Sequence, residues 1–204
     1  MSNVSDVQVA FISDEVALDA DGISTATSVG NNANLVIGGA LASGGSVTNA
    51  SGRVVTILSA GDDSSKSFTV TGTDVNGDAQ TESITGANDN TATGALFFKT
   101  ITQIAAVGNP AGNVSAGINN SAAAVINAER TRLKGYSIVS GGTAGVVNFV
   151  DTSTAGTVRF KARTIGTDNT TLDNTIPDQG MLFKNGCFVT FTVGTIDMMN
   201  FFHA

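Results

Sequence analysis

Residues 68–86 read FTVTGTDVNGDAQTESITG, and the order of residue types in that stretch sets the fold class. Phe68 and Val70 alternate with Thr69 and Thr71, the two-residue period of a strand with one face turned inward. Asn76-Gly77 follows, the strongest short-range hairpin signal, because both residues accept the positive φ of a type I′ turn. QTESIT, residues 80–85, supplies the return strand. The stretch spells an antiparallel hairpin and carries little that could react.

The same grammar extends outward. RVVTIL (53–58) is a β-branched strand, SAGDDSSK (59–66) a loop, and ALFFKTITQIAAV (95–107) a long strand with Phe97 and Phe98 on opposite faces. Residues 1–45 read as a Gly/Ala/Ser/Asn-rich lead-in arm, with a turn at Asp19–Gly22 and a short apolar run, NLVIGGAL. GNPAGNVSAGINNSA (108–122) reads as a loop and places a domain boundary near residue 122. AAAVINAERTRL has a helical or an extended reading, and its continuation into RLKGYSIVSG favours extended chain. GVVNFVD, TVRFKART, TTLDNTI, GMLFKNG, CFVTFTV and TIDMMNFFHA then follow as short strands between turn residues. The expected fold is all-β with little helix: two small sandwich-like or barrel-like domains, 46–122 and 123–204, behind the lead-in.

Composition limits the function. Charged residues make up only 13% of the 204, about half the usual share, so Thr, Ser, Asn and Gly must keep the surface wet. A net charge of −7 with ten Lys and Arg argues against binding a phosphate backbone, even though several cations gather between Arg130 and Arg163. One Cys and one His are too few for a soft-ligand metal site or an internal disulfide, and no cofactor is expected. No apolar run approaches a membrane span, and the first residues lack a signal-peptide pattern, so folding in a cytoplasm is expected.

Candidate chemical sites read more simply as structure. Asp74, Asn76, Asp78 and Glu82 alternate like calcium ligands, but Gly77 is fourth and Glu82 ninth in that run, where an EF-hand loop needs sixth and twelfth. Asp62, Asp63 and Asp89 could pair as glycosidase carboxylates, yet Trp is absent and Tyr136 is the one Tyr, so no aromatic platform accompanies them. Cys187 and His203 would make a nucleophile and base, but a Cys within NGCFVTFTV reads as a small buried apolar residue. VIGGALASGG lacks the Lys-Ser/Thr of a phosphate loop, and no catalytic motif appears elsewhere, so an enzyme is not expected. The segment IDMMNFFHA is more telling. Ile196, Met198, Met199, Phe201 and Phe202 place apolar groups on both faces of a final strand, as Phe97 and Phe98 do earlier. Such a strand is either buried on both sides or covered on one side by another subunit, which makes these seven residues interface candidates.

RVVTILSAGDDSSKSFTVTGTDVNGDAQTESITG, with ATGALFFKTITQI and AGNVSAG, resembles a module recurrent in tailed-bacteriophage virion proteins. RLKGYSIVSGGTAGVVNFVD, with IPDQGMLFKNGCFVTFT, resembles a second module found in small virion proteins of marine and cyanobacterial phages. Together they span about three quarters of the chain, as patterns of turns and apolar positions. The resemblance implies a virion component without catalytic residues, assembled in the host cytoplasm. A capsid decoration (cement) protein fits first: a homo-oligomer, such as a trimer, that bridges copies of the major capsid protein or other virion proteins. A tail or connector component (adaptor, nozzle or fibre base) is the alternative, and a receptor or glycan-binding module stands behind both. Nucleic acid and membrane are not among the expected partners.

Overall fold

The computed structural model describes residues 7–13, 16–167 and 169–204, and every regular element in them is a β-strand. In chain order these are β1 (Gln8–Ile12), β2 (Asp19–Ser28), β3 (Ala42–Ser43), β4 (Ser46–Ser59), β5 (Ser67–Thr73), β6 (Ala79–Thr85), β7 (Thr91–Val107) and β8 (Asn113–Asn127). They continue with β9 (Thr131–Ser140), β10 (Val146–Asp151), β11 (Thr157–Arg163), β12 (Thr171–Thr175), β13 (Met181–Phe183), β14 (Cys187–Thr192) and β15 (Ile196–His203). All pairings are antiparallel, in one sheet of five strands and one of ten, neither closed into a barrel. The chain divides into two units, a middle one of residues 16–120 and a terminal one that joins residues 1–15 to 121–204.

In the middle unit the order is β8-β4-β7-β5-β6, with β2 beside β8 and β3 beside β4. The hairpin read from the sequence is present as β5 and β6, paired from Ser67↔Thr85 to Thr73↔Ala79. Its turn differs from the expected type I′, because Gly77 has positive φ (91°) and Asn76 does not. Gly77 N donates to Asp74 O at 3.2 Å, and Asp74 N donates to Asp78 O at 2.9 Å. That is a three-residue loop, a type I turn followed by a left-handed glycine. The Asp74 carboxylate holds it by accepting from Asn76 N and Asp78 N at 2.8 and 3.0 Å. An aspartate that can bond backbone two residues on has stabilised the longer loop.

β7 is long enough to pair β4 through its first part and β5 through its second, so Thr100 faces Thr48 on one side and Thr73 on the other. The sheet curls, and β6 is brought near the start of β7. There Gln80 Nε2 donates to Phe97 O at 2.9 Å and Glu82 Oε1 accepts from Ala95 N at 2.5 Å. Phe68, Val70, Ile57, Phe98, Ile101 and Ile104 fill the interior. Residues 16–45, expected as a lead-in arm, contribute Ile23, Val29 and Leu35 to this same core. Asp19–Gly22, expected as a turn, opens β2 instead, next to an irregular register between Asp19 and Ser24. Residues 113–122, expected as part of a loop, belong to β8. Val114, Ala116 and Ile118 are buried there, and the small Ser115 and Gly117 between them let neighbouring chain approach on the other side.

The terminal unit is a sandwich. One layer has the order β1-β15-β9-β12 with β13 also on β9, and the other runs β11-β10-β14 to the end of β8. Their inner faces meet in one core containing Phe149, Val147, Cys187, Val189, Ile138, Met199 and Phe201. Phe149 sets its ring edge-on to Phe201 at 5.4 Å and lies 5.5 Å from Tyr136 and 5.4 Å from Phe160. Such aromatic pairs add about 0.5–1.5 kcal/mol each beyond the area they bury. β15 is a central strand, and β1 is the edge beside it, so residues from opposite ends of the sequence share one sheet: Val9 faces Phe202 and Phe11 faces Asn200.

Candidate interaction face

Directly paired residues in antiparallel strands project to the same side, so the register of the five-stranded sheet assigns each side chain to a face. The inner face carries Ile12, Met199, Ile138 and Leu172 in one row, and Ala10, Phe201, Tyr136 and Asn174 in the next. The outer face carries Val9, Phe202, Gly135 and Thr175; then Phe11, Asn200, Ser137 and Asp173; then Met198, Val139 and Thr171. Its β12 side is polar. Its β1–β15 side is not: Val9 is 55% exposed, Phe11 60%, Met198 41% and Phe202 36%. Val7, one residue before the strand, extends the alternation and is 46% exposed. A groove of about 470 Å³ runs over the β9–β12 seam, with Phe202, Lys134, Ser137 and Asp173 among its walls.

This geometry divides the interface candidates. Phe201, Met199 and Phe98 are fully buried and Ile196 nearly so, all inside the chain's own cores, while Phe97 is half-buried on β7. Met198 and Phe202 alone of the seven lie on the exposed sheet face. A bulge between Ile196 and Met198 is the cause. It shifts the strand's alternation by one, so that Met199, Phe201 and His203 point inward and Met198, Asn200 and Phe202 outward. Phe201→Asp would therefore break the core and not probe docking, and removal of residues 196–204 would take out a central strand. Val9 and Phe11 escaped the sequence reading. Their alternation in VQVAFI was visible, but the strand they join lies at the far end of the chain.

The residues weighed for chemistry serve the fold. Asp62 is exposed, and its carboxyl is held below the usual range by the Ser64 hydroxyl and backbone N–H, at 2.6 and 3.1 Å. Asp63, next in sequence, is fully buried and accepts from Ala111 N at 2.8 Å, tying the β4–β5 loop to the loop before β8. Glu82 is engaged with β7, and Asp74 with its own turn. Among the described residues no three His, Cys, Asp or Glu side chains gather as a metal would need. Cys187 is buried, and that burial, with the nearby Asp151 carboxylate second, pushes its thiol up to about 12, far from a thiolate at neutral pH. His203 is buried too, which lowers its pKa, and its Nδ1 lies 3.3 Å from the Thr131 hydroxyl. That hydroxyl gives its proton to Ala204 O at 3.1 Å, so His203 Nδ1 is the donor to Thr131. The ring is a strut at the end of β15.

Asp151 is a buried carboxylate of the terminal unit. Arg159 Nε and Nη2 donate to its Oδ2 at 3.1 and 2.9 Å, and Asn185 N donates to Oδ1 at 3.3 Å, which compensates its loss of water. What the described surface offers a partner is thus a sheet face that is apolar and partly aromatic over β1 and β15 and polar over β12. No protein-family model, curated protein or solved structure matches the chain.

Proposed function

We propose that this chain is a structural component of a tailed-bacteriophage virion, and within the virion a capsid decoration protein that bridges head subunits as a symmetric homo-oligomer. One observation carries the adhesive part of this reading: the outer face of the five-stranded sheet presents Val9, Phe11, Met198 and Phe202 together on a rigid scaffold. Contiguous exposed apolar surface of that kind marks an interaction site. The virion setting rests on the resemblance of residues 53–117 and 132–192 to phage modules. An acidic, Thr- and Ser-rich remainder suits particles that must not stick to one another.

The deciding measurement is stoichiometry in purified particles, by quantitative mass spectrometry against the major capsid protein. A decoration protein is present in copies that follow the head lattice. A handful of copies per particle, with immunogold label confined to the tail, would move the assignment to a connector or fibre-base component. Absence from particles would remove the virion reading altogether.

A further inference from the structure

We infer that the outer face of the five-stranded sheet is covered by a second copy of this chain, face to face across a twofold axis. The inference rests on reading this face as adhesive and stands independently of where the protein is located. Three observations support it.

The first is charge. Edge strands exposed to water are usually protected by charged side chains. Among the described edge strands longer than three residues, β2 carries Asp19 and Asp21, β6 Glu82, β11 Arg159, Lys161 and Arg163, and β12 Asp173. β1, with sequence QVAFI, carries none. The row of side chains it adds to the outer face is apolar, and its neighbour β15 adds Met198 and Phe202 there. The carboxylate that the register puts on this face, Asp173, lies at its β12 side, so two strongly acidic chains can meet over β1 and β15 with that charge left at the watered rim.

The second is area. Val7, Val9, Phe11, Met198 and Phe202 together expose roughly 400 Å² on this face, against about 800 Å² buried per partner in a standard interface. Homodimer interfaces are about 65% apolar, so this patch is close to the apolar share that one partner supplies. Asn200, Ser137, Thr171, Asp173 and Thr175 on the same face provide the polar rim.

The third is self-complementarity. Among the described residues of the terminal unit, the other exposed large apolar side chains, Val158 and Ile165, lie outside β1 and β15, on β11 and in the loop after it. A threefold ring needs two different patches that fit each other, whereas a twofold contact needs one patch that fits itself. Among the described residues of the terminal unit, β1 and β15 supply one such patch. Stacked sheets lie about 10 Å apart, close enough for Phe11 and Phe202 of the two copies to interleave.

Analytical ultracentrifugation of the full chain tests this. The expected species at tens of micromolar has twice the 20.5 kDa chain mass. A Val9→Lys/Phe11→Lys double variant, altered at positions more than half exposed, keeps the parental melting temperature and weakens the dimer at least about tenfold. Phe11→Gln is the milder second variant if the double one fails to fold, with a smaller shift in the same direction. Val36→Lys, at a site 73% exposed in the middle unit, leaves the dimer unchanged. A wild-type monomer, a trimer mass, or a dimer indifferent to both Phe11 variants would overturn the inference. So would a monomer that needs Phe11 to enter particles, since another chain would then cover the face. A dimer from a protein absent from virions would uphold the inference and remove the virion reading alone.

Discussion

Gly72 and Gly77 belong to the same hairpin and answer to different constraints. Gly77 takes φ of 91° with open space around its missing Cβ, so Gly77→Ala pays backbone strain alone, about 1–2 kcal/mol. At Gly72 an added Cβ would sit 1.9 Å from Thr100 O, a backbone atom that moves only with its strand. Gly72→Ala is expected to cost more, above roughly 3 kcal/mol, as overpacking that displaces backbone. Urea denaturation of the two variants checks the order. His203 gives a second expectation. Burial lowers its pKa in the fold, so the unfolded chain takes up the proton first. Stability is full above the ordinary value of 6.5 and falls as pH drops through it toward the lower folded value. His203→Gln should flatten that part of the stability curve measured between about pH 8 and 5. At this scale the sequence was partly readable. The spacing around Asp74 departs from that of an EF-hand loop, but nothing in it revealed that the carboxylate would select a three-residue turn.

Among the elements, β15 separates packing from presentation within two adjacent residues. Phe201→Ala removes a ring at the centre of the sandwich core and should cost about 3–5 kcal/mol. Phe202→Ala removes a ring that already meets solvent and should cost under about 1 kcal/mol in the monomer. Thermal melts at low protein concentration distinguish the two. IDMMNFFHA showed that apolar groups occupy both faces, but not which face is solvent, because a bulge decides it and bulges leave no period in a sequence. β5 and β6 were legible because their alternation is clean. The first part of β8 was not, because Asn, Gly and Ser are turn residues by propensity and become strand residues when two neighbours press close, whereas the extended reading favoured from residue 122 onward matches its second part. The outer-face residues were half legible: VQVAFI alternates, yet only the pairing Val9↔Phe202 shows what it lies beside.

Among the described residues of the whole molecule there are two hydrophobic cores, one made of consecutive chain and one that joins segments from both ends of the sequence. Sequence reading expects two β domains, 46–122 and 123–204, because strand signals recur on both sides of residue 122. It could not assign the first residues, since a short strand pairs as well with a distant edge as with a near one. The β1–β15 pairing joins Gln8 to His203 across almost the entire chain, and so has a kinetic consequence. Contacts between residues far apart in sequence form late, because the intervening segment must first be brought into place. During synthesis, residues 16–120 can condense once they leave the ribosome, while Val9 and Phe11 wait unpaired until the final strand emerges. Pulse-labelled hydrogen exchange during refolding should find amides around Phe68 protected before those around Phe201. The interval between them is a window of stickiness, in which an early apolar strand is open to any other unfinished chain nearby.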